Sequence, residues 1–454
     1  MKLSVKIAIT AAMVGFCLGL LQSGYALAAP GAILRDDTYT SRPADADNVK
    51  GLAIDGKGTL ALAGSINGKD GSYSYLTINY NPYGSMEWAR EFNPSWYNVG
   101  RAVTFDKNGN VYTAGTSYNL DNPRDSYSRS YYTDYHIVKY SPAGEPLMES
   151  VASGFKKNND PTGIVADSSG NIYVTGTAKT VTDTYQIFYT VKFDPTGSIQ
   201  WEKTDDWGAE SYATGIGLGP DGNIIVAGWF RDPSTDNLNI RVLRYDAYTG
   251  KTLTDASYNN ESDDEKAWGV AVDADGNIIV AGETSSYDGV TLTLKFGPDG
   301  HLLWANRYRG SEYKNRGNAV AVDRDGNVFV AGKITKDEQS GDWMLLVYDR
   351  DGKLVFDKTY PVGGDAGAEG IAVDIYGNIA IAGNVRLPGQ PPFIKTLRLE
   401  GFIQRQSQAA SPELTTQGFD FKKKIRLAQP QTQMIRKVNL KYEARQEINL
   451  ENLN

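Results

Sequence analysis

The chain has almost no thiol chemistry to offer: one of its 454 residues is cysteine, Cys17, and it falls in an N-terminal apolar segment. Disulfides, thiol catalysis and thiolate metal sites are thereby excluded from the remainder. Histidine is nearly as scarce. His136 and His301 are the only two and stand far apart in sequence, so neither a histidine-dependent triad nor a histidine-rich metal centre is available. Long apolar runs are also missing, apart from Ile7 to Leu21, which follows Lys2 and Lys6 and precedes Ala26-Leu27-Ala28. That order reads as a secretory signal peptide over residues 1–28, cleaved before Ala29, with an uncleaved anchor as the alternative. Phe16 stands where a lipoprotein box needs a small residue, which argues against acylation of Cys17. Once the signal is removed, no transmembrane span is expected.

Positive charge is short where nucleic acid would need it. The chain has 46 Lys+Arg against 54 Asp+Glu, and residues 401–454 alone hold a net +4. The stretch between signal and tail therefore carries 35 bases and 49 acids, net −14. Such a body is poorly suited to neutralise phosphates, and no nucleic-acid partner is expected.

Glycine and tyrosine are plentiful, at 48 and 28 residues, and a single pattern uses many of them. AVDADGNIIVAG, from Ala271 to Gly282, recurs as Leu52 to Gly64, Val103 to Gly115, Ile164 to Gly176, Ile216 to Gly228, Val320 to Gly332 and Ile371 to Gly383. The turn glycines Gly58, Gly109, Gly170, Gly222, Gly276, Gly326 and Gly377 are spaced by 50 to 61 residues, a period of propellers or arrays. Each copy reads as strand, tight turn, strand: β-branched and aromatic residues build the strands, Asp opens the turn, and Gly takes the left-handed position. A third strand follows, such as Tyr135 to Tyr140 or Thr291 to Phe296. After a second short turn comes a fourth, marked by Trp88, Trp201 or Trp304. The fold class predicted is all-β: a seven-bladed β-propeller with four antiparallel strands per blade.

Ring closure has two candidate strands. Ile33 to Tyr39 looks like the fourth strands Leu302 to Tyr308 and Leu354 to Tyr360, and this N-terminal closure is favoured because it removes exposed edges. Gly401 to Arg405 is the alternative. The organisation is then signal peptide 1–28, propeller 29–403, and a polar linker with a basic tail over 404–454.

The unit from Trp304 to Gly332, W…Y.G…A.AVD..GN.YVAG, resembles the bacterial SBBP repeat over about residues 32–400. Its hairpin is also similar to NHL-type repeats, and Asp246 to Lys251 alone is similar to a quinoprotein-type propeller repeat. The SBBP resemblance implies an exported protein, periplasmic, secreted or at the cell surface, and names no activity.

The first-to-second and third-to-fourth turns are short, so one face is plain, while the opposite face collects long loops and connections between blades. Ligand-binding candidates on that face are Trp96, Tyr97, Arg101, Tyr131, Tyr132, Trp207, Tyr212, Trp268, Arg316 and Glu369. Aromatic rings with Arg and carboxylates suit a sugar, a peptide or a protein surface. The Asp-x-x-Gly-Asn turns at Asp273 and Asp323 lack the further ligands of a calcium loop, and Gly217 to Gly222 spells GxGxxG ahead of a strand rather than a helix. No metal, cofactor or catalytic residue is assigned. The leading expectation is a monomeric, non-catalytic binding or scaffold propeller with a protein or carbohydrate partner. A lyase or hydrolase using carboxylates and Tyr at the channel mouth, and a surface-assembly component held by the basic tail, are the alternatives.

Overall fold

The computed structural model describes residues 29–402, apart from 42–45, 69–70, 119–131, 155–157, 180–184, 261–262, 285–288 and 338–339. Residues 1–28 and 403–454, which hold the expected signal segment and basic tail, lie outside the described residues. Among the described residues there are 28 strands, numbered in chain order, and no helix long and apolar enough to cross a membrane.

β1 is Ile33–Tyr39, and the others come in runs of four. β2 to β5 are Ala46–Ile54, Leu60–Asn67, Tyr73–Tyr80 and Met86–Phe92; β6 to β9 are Asn98–Phe105, Val111–Tyr118, Thr133–Tyr140 and Pro146–Ala152. β10 to β13 are Asp160–Ala166, Ile172–Lys179, Gln186–Phe193 and Ile199–Asp205; β14 to β17 are Ser211–Leu218, Ile224–Arg231, Leu238–Tyr245 and Thr252–Tyr258. β18 to β21 are Glu265–Val272, Ile278–Thr284, Val290–Phe296 and Leu302–Tyr308; β22 to β25 are Asn315–Val322, Val328–Thr335, Gly341–Tyr348 and Leu354–Tyr360. The last three, β26 to β28, are Asp365–Val373, Ile379–Arg386 and Phe393–Leu399.

Each run of four pairs antiparallel in chain order. The final run is completed by β1, which pairs with β28 from Ile33 opposite Leu399 to Tyr39 opposite Ile394. This is the N-terminal closure. In the competing segment, Gly401 and Phe402 form no strand, residues 403–405 lie outside the described residues, and Phe402 packs its ring on Phe329 and Phe356 at 5.9 and 4.7 Å. One parallel pair, Gly341 with Asp365, links the last two sheets.

The hairpins form for the local reason their sequence implies. In the turn after β18, Asp273 Oδ1 accepts the amides of Asp275 and Asn277 at 3.0 and 2.8 Å, and Oδ2 accepts Asn277 Nδ2 at 2.8 Å. Asp323 does the same with Asp325 and Asn327. Burial alone would raise the Asp273 carboxyl; bonds from Asn277 and Lys295 outweigh it and hold the group below the usual carboxylate range.

The first strand of every sheet lies against the first strand of the next, from β2 through β6, β10, β14, β18 and β22 to β26, and β26 returns to β2. The core is accordingly shared out between neighbouring sheets: Leu60, Leu62 and Leu76 of the first sheet pack with Ala380, Ala382 and Ile394 of the last. Near the axis the inner strands approach so closely that only small residues fit. A Cβ on Gly269 would lie 3.0 Å from Ala319 Cα, and one on Gly370 would lie 2.7 Å from Leu52 Cβ. Gly51, Ala102, Gly163, Gly215 and Ala319 hold the same position in the other inner strands.

A second contact repeats at the rim. Trp88 of β5 covers the turn glycine Gly144 of the next sheet, 2.8 Å from where its Cβ would be, and donates Nε1–H to Pro142 O at 2.9 Å. Trp201 covers Gly250 and Trp304 covers Gly352 in the same way. The last link uses Gly31, whose φ is +70° and whose absent Cβ would meet Phe356 Cζ at 2.6 Å. Its carbonyl accepts Tyr360 Oη at 2.7 Å and Lys358 Nζ at 3.1 Å. Gly31 thus supplies for the final sheet what a turn glycine supplies elsewhere.

Gly269→Val should lower unfolding stability by about 1–3 kcal/mol through overpacking. Gly56→Ala, in the open turn before β3 with nothing within 4 Å, should stay within about 0.5 kcal/mol of the parent. Chemical denaturation of the two variants checks this; equal losses would contradict the crowded axis.

Candidate functional site

In a four-stranded antiparallel sheet the fourth strand ends on the side where the next sheet's first strand begins. The beginnings of the inner strands, the connections between sheets and the second-to-third loops therefore share one face. On the other face stand the short Asx turns, with Tyr83, Tyr248 and Tyr376 exposed at their tips.

Every inner strand carries a β-bulge at the same register. The residues left without a cross-strand partner are Lys50, Arg101, Thr162, Thr214, Trp268, Asn318 and Glu369. Bulges re-aim side chains, and here they lie near the loop-rich ends of the strands. Some of these side chains stitch neighbouring sheets: Thr162 Oγ1 donates to Ala213 O at 2.8 Å and Asn318 Nδ2 to Ala368 O at 2.7 Å. Others pair charges across sheets. Lys50 Nζ lies 3.1 Å from Glu369 Oε2, and Arg101 Nη2 lies 2.9 Å from Asp160 Oδ2, which sits two residues ahead of the bulge in β10.

The sequence-predicted residues divide into three groups. Arg101, Trp268 and Glu369 are bulge residues, and Tyr212 and Arg316 stand two residues ahead of bulges, so these five share the inner rim. Tyr212 stacks on Trp229 at 4.4 Å and 26°, and donates its hydroxyl to Glu210 Oε1 at 3.0 Å. Burial first, and the Glu210 carboxylate second, push its phenol up to about 12. Lys266 Nζ stands 5.1 Å from the Trp229 ring centre, and Arg316 Cζ stands 5.5 Å from that of Trp268.

The second group is an aromatic cluster around the connection into β6. Tyr97 stacks on Tyr118 at 4.8 Å, Trp96 meets Tyr118 at 4.8 Å, and Tyr73 meets Tyr97 at 4.9 Å. Trp96 is 52% exposed. Tyr132, half-buried, directly precedes β8, while Tyr131 lies outside the described residues. Trp207 forms the third group by itself: it packs on Phe188 and Phe230 at 5.1 and 5.7 Å under the Arg241 guanidinium, as part of the joint between sheets.

Sequence reasoning missed Lys50, Asp160, Trp229 and Lys266. Aligning the repeats on the small residue after the bulge would have found Lys50 at once, and the position two residues ahead would have given Asp160 and Lys266. Trp229 enters only through its pairing with Tyr212 across β14 and β15.

Both histidines are accounted for locally. His136 lies in β8 with Nε2 2.7 Å from Glu149 Oε1, and burial lowers its imidazole. His301 contacts Asp299 within its own turn. Among the described residues, no three His, Cys, Asp or Glu side chains gather in a way that could hold a metal ion.

Sheets arranged radially around a crowded axis define a β-propeller. Residues 87–122 and 155–180 match the SBBP β-propeller repeat, and residues 219–250 and 274–293 match DUF5122, a β-propeller domain of unknown function. These stretches agree with the resemblance to SBBP repeats read from the sequence. Among solved structures it is similar to a protein of unknown function from Dyadobacter fermentans, at 12% identity, with 82% of this chain and 100% of that one covered and a TM-score of 0.50. It is also similar to hydrazine synthase from Kuenenia stuttgartiensis, at 12% identity, 75% and 94% coverage and a TM-score of 0.51. At that identity the likeness is one of fold alone. No curated protein matches the chain.

At one position near the start of the inner strands two copies carry a buried carboxylate: Asp47 in β2, 1% exposed and bonded by the Ser41 amide and hydroxyl at 2.6 Å each, and Glu265 in β18. Asn98, Asn159, Ser211 and Asn315 occupy a fully buried position at the start of their inner strands, where Asn98 Nδ2 ties down Tyr73 O at 3.0 Å and Asn159 Nδ2 ties down Ser153 O at 2.9 Å. Glu265 holds that position in β18, with its side chain 0% exposed and Arg307 Nη2 3.6 Å from Oε1. Burial raises its carboxyl from the ordinary 4.5 to about 7, against the lowering effects of the Asn260 amide and Arg307. The folded state therefore holds a proton that the unfolded chain releases, and this stabilisation is present below the unfolded value and lost as pH rises through about 7. Glu265→Gln should gain stability over the parent between pH 5 and pH 8, by on the order of 1–3 kcal/mol. Denaturation curves across that range check it; a constant difference between the two proteins would contradict the assignment.

Proposed function

We propose that this chain is an exported, non-catalytic propeller of seven blades that binds a carbohydrate chain through its loop-rich face. The grouping of strands in fours around a returning ring supports the blade count. The single observation that carries the binding reading is the cluster of Tyr73, Trp96, Tyr97 and Tyr118, with Trp96 half-exposed. Flat, stiff rings give a saccharide large apolar contact at small entropic cost while hydroxyl groups fix its orientation. The turns of the opposite face spend their Asp side chains on their own amides. Against a catalytic reading stands the pairing of the rim carboxylates: Glu369 with Lys50, Asp160 with Arg101 and Asp263 with Arg307. Glu265, whose carboxyl has a value suited to acid-base work, is wholly buried.

On a glycan array, Trp96→Ala should weaken saccharide binding about tenfold, a loss of about 1.4 kcal/mol, while Tyr248→Ala on the plain face should leave it unchanged. Loss with Tyr248→Ala alone, or no saccharide retained at millimolar concentration, would overturn the reading. Export is checked by N-terminal sequencing of the protein recovered outside the cytoplasm, which should begin at Ala29; an intact N-terminus at Met1 would contradict it.

A further inference from the structure

The rim of the inner strands is unevenly neutralised. Lys50 is matched by Glu369, Arg101 by Asp160 and Lys333 by Asp365. Lys266 and Arg316 are different: neither has an ion pair among the described residues, although the body around them carries an excess of acids. Glu283 faces Lys266 in register across β18 and β19 without closing on it. The two cations stand at the same register in adjacent inner strands, two residues ahead of their bulges. Each rests over an indole of the preceding sheet, Lys266 over Trp229 and Arg316 over Trp268.

A ring face holds a cation in place without cancelling its charge, because the attraction is to the quadrupole. Two long side chains that would otherwise sample many rotamers are thus arranged as neighbouring donors with their charge unspent. Arginine in particular presents a planar fork that fits a carboxylate with two bonds. Tyr212 and Trp268 add partly exposed ring surface beside them.

Resting on the carbohydrate reading above, we infer that this sector binds the carboxylate of a uronic acid, so that the saccharide recognised is an acidic one. A neutral sugar would leave both cations unanswered on the rim. A uronate meets them with its carboxylate and offers its ring to the aromatic surface. Phosphate-rich polymers are disfavoured by the net negative charge of the body, which repels a long polyanion while tolerating single spaced carboxylates.

Titration calorimetry of the mature chain with trigalacturonic acid, its methyl ester and a neutral trisaccharide separates the possibilities. The acid should bind about tenfold tighter than its ester, and Lys266→Gln and Arg316→Gln should each remove most of that difference while leaving the ester unaffected. Raising salt should weaken the acid only, and the acid should perturb indole fluorescence less in Trp268→Phe than in the parent, the Trp229 indole beneath Lys266 remaining in both. Unchanged thermal melts identify variants that fold, and Lys266→Gln stands if Arg316→Gln does not. Equal binding of acid, ester and neutral trisaccharide would overturn the inference while leaving the carbohydrate reading intact. Failure of all three to bind would overturn both. A tetraglutamate peptide binding as tightly as the trisaccharide acid would reassign the sector to acidic peptides and overturn the inference.

Discussion

Close approach of the inner strands at the axis is the constraint on which the molecule depends. Sheets packed around a common centre splay at the rim and crowd at the hub, and the crowding admits only glycine or alanine where Gly51, Ala102, Gly163, Gly215, Gly269, Ala319 and Gly370 stand. Immediately before each of these small residues the strand bulges. The bulge lets the inner strand bend along the axis while still pairing on its outer side, and it turns one side chain per sheet out of the ladder. Packing at the hub and presentation at the rim therefore come from the same local device: the position that must be small lies next to the position free to vary. That adjacency explains why Lys, Arg, Thr, Trp, Asn and Glu all occur at the bulge while the residue after it does not change character.

The rim imposes a complementary demand. Each sheet needs the turn glycine of its neighbour beneath a side chain of its fourth strand, and a linear chain leaves the last sheet without one. Gly31 and β1 answer that demand from the other end of the sequence, by the same positive φ and the same carbonyl acceptor as the internal turns. Closure also removes the open edge that β28 would otherwise expose. The buried Glu265 shows what the repeat tolerates: a neutral latch is replaced by an ionisable one in β18, as it is by Asp47 in β2, and at Glu265 this brings a pH-dependent stability.

The hairpins were legible from sequence because their cause is local. Asp, Gly and Asn within five residues specify the turn, and alternating apolar residues specify the strands, so the turns at Asp273 and Asp323 could be read directly. The likeness of Ile33–Tyr39 to other fourth strands was legible for the same reason. The rim was legible only in outline. Counting connections assigns Trp96, Tyr97, Arg101, Tyr212, Trp268, Arg316 and Glu369 to the loop-rich face, yet nothing in the sequence says that Trp207 packs against Phe188 and Phe230. The pairing of Arg101 with Asp160 and the seating of Lys266 over Trp229 were equally hidden. Both join residues tens of positions apart, through the spacing of adjacent sheets rather than through any periodicity.

The most direct test of this account is the register of ring closure, because the axis, the rim and the face all require a complete circle. The chain beyond Cys17 has no cysteine, so a pair introduced as Asp37→Cys and Thr396→Cys, opposite one another in β1 and β28, reports on it without background. Under mild oxidation the pair should bridge in nearly all molecules, seen as a mobility shift on non-reducing gels, while Asp37→Cys with Ile394→Cys should bridge poorly. Absence of the bridge in folded protein, or equal bridging by both pairs, would contradict the closed ring.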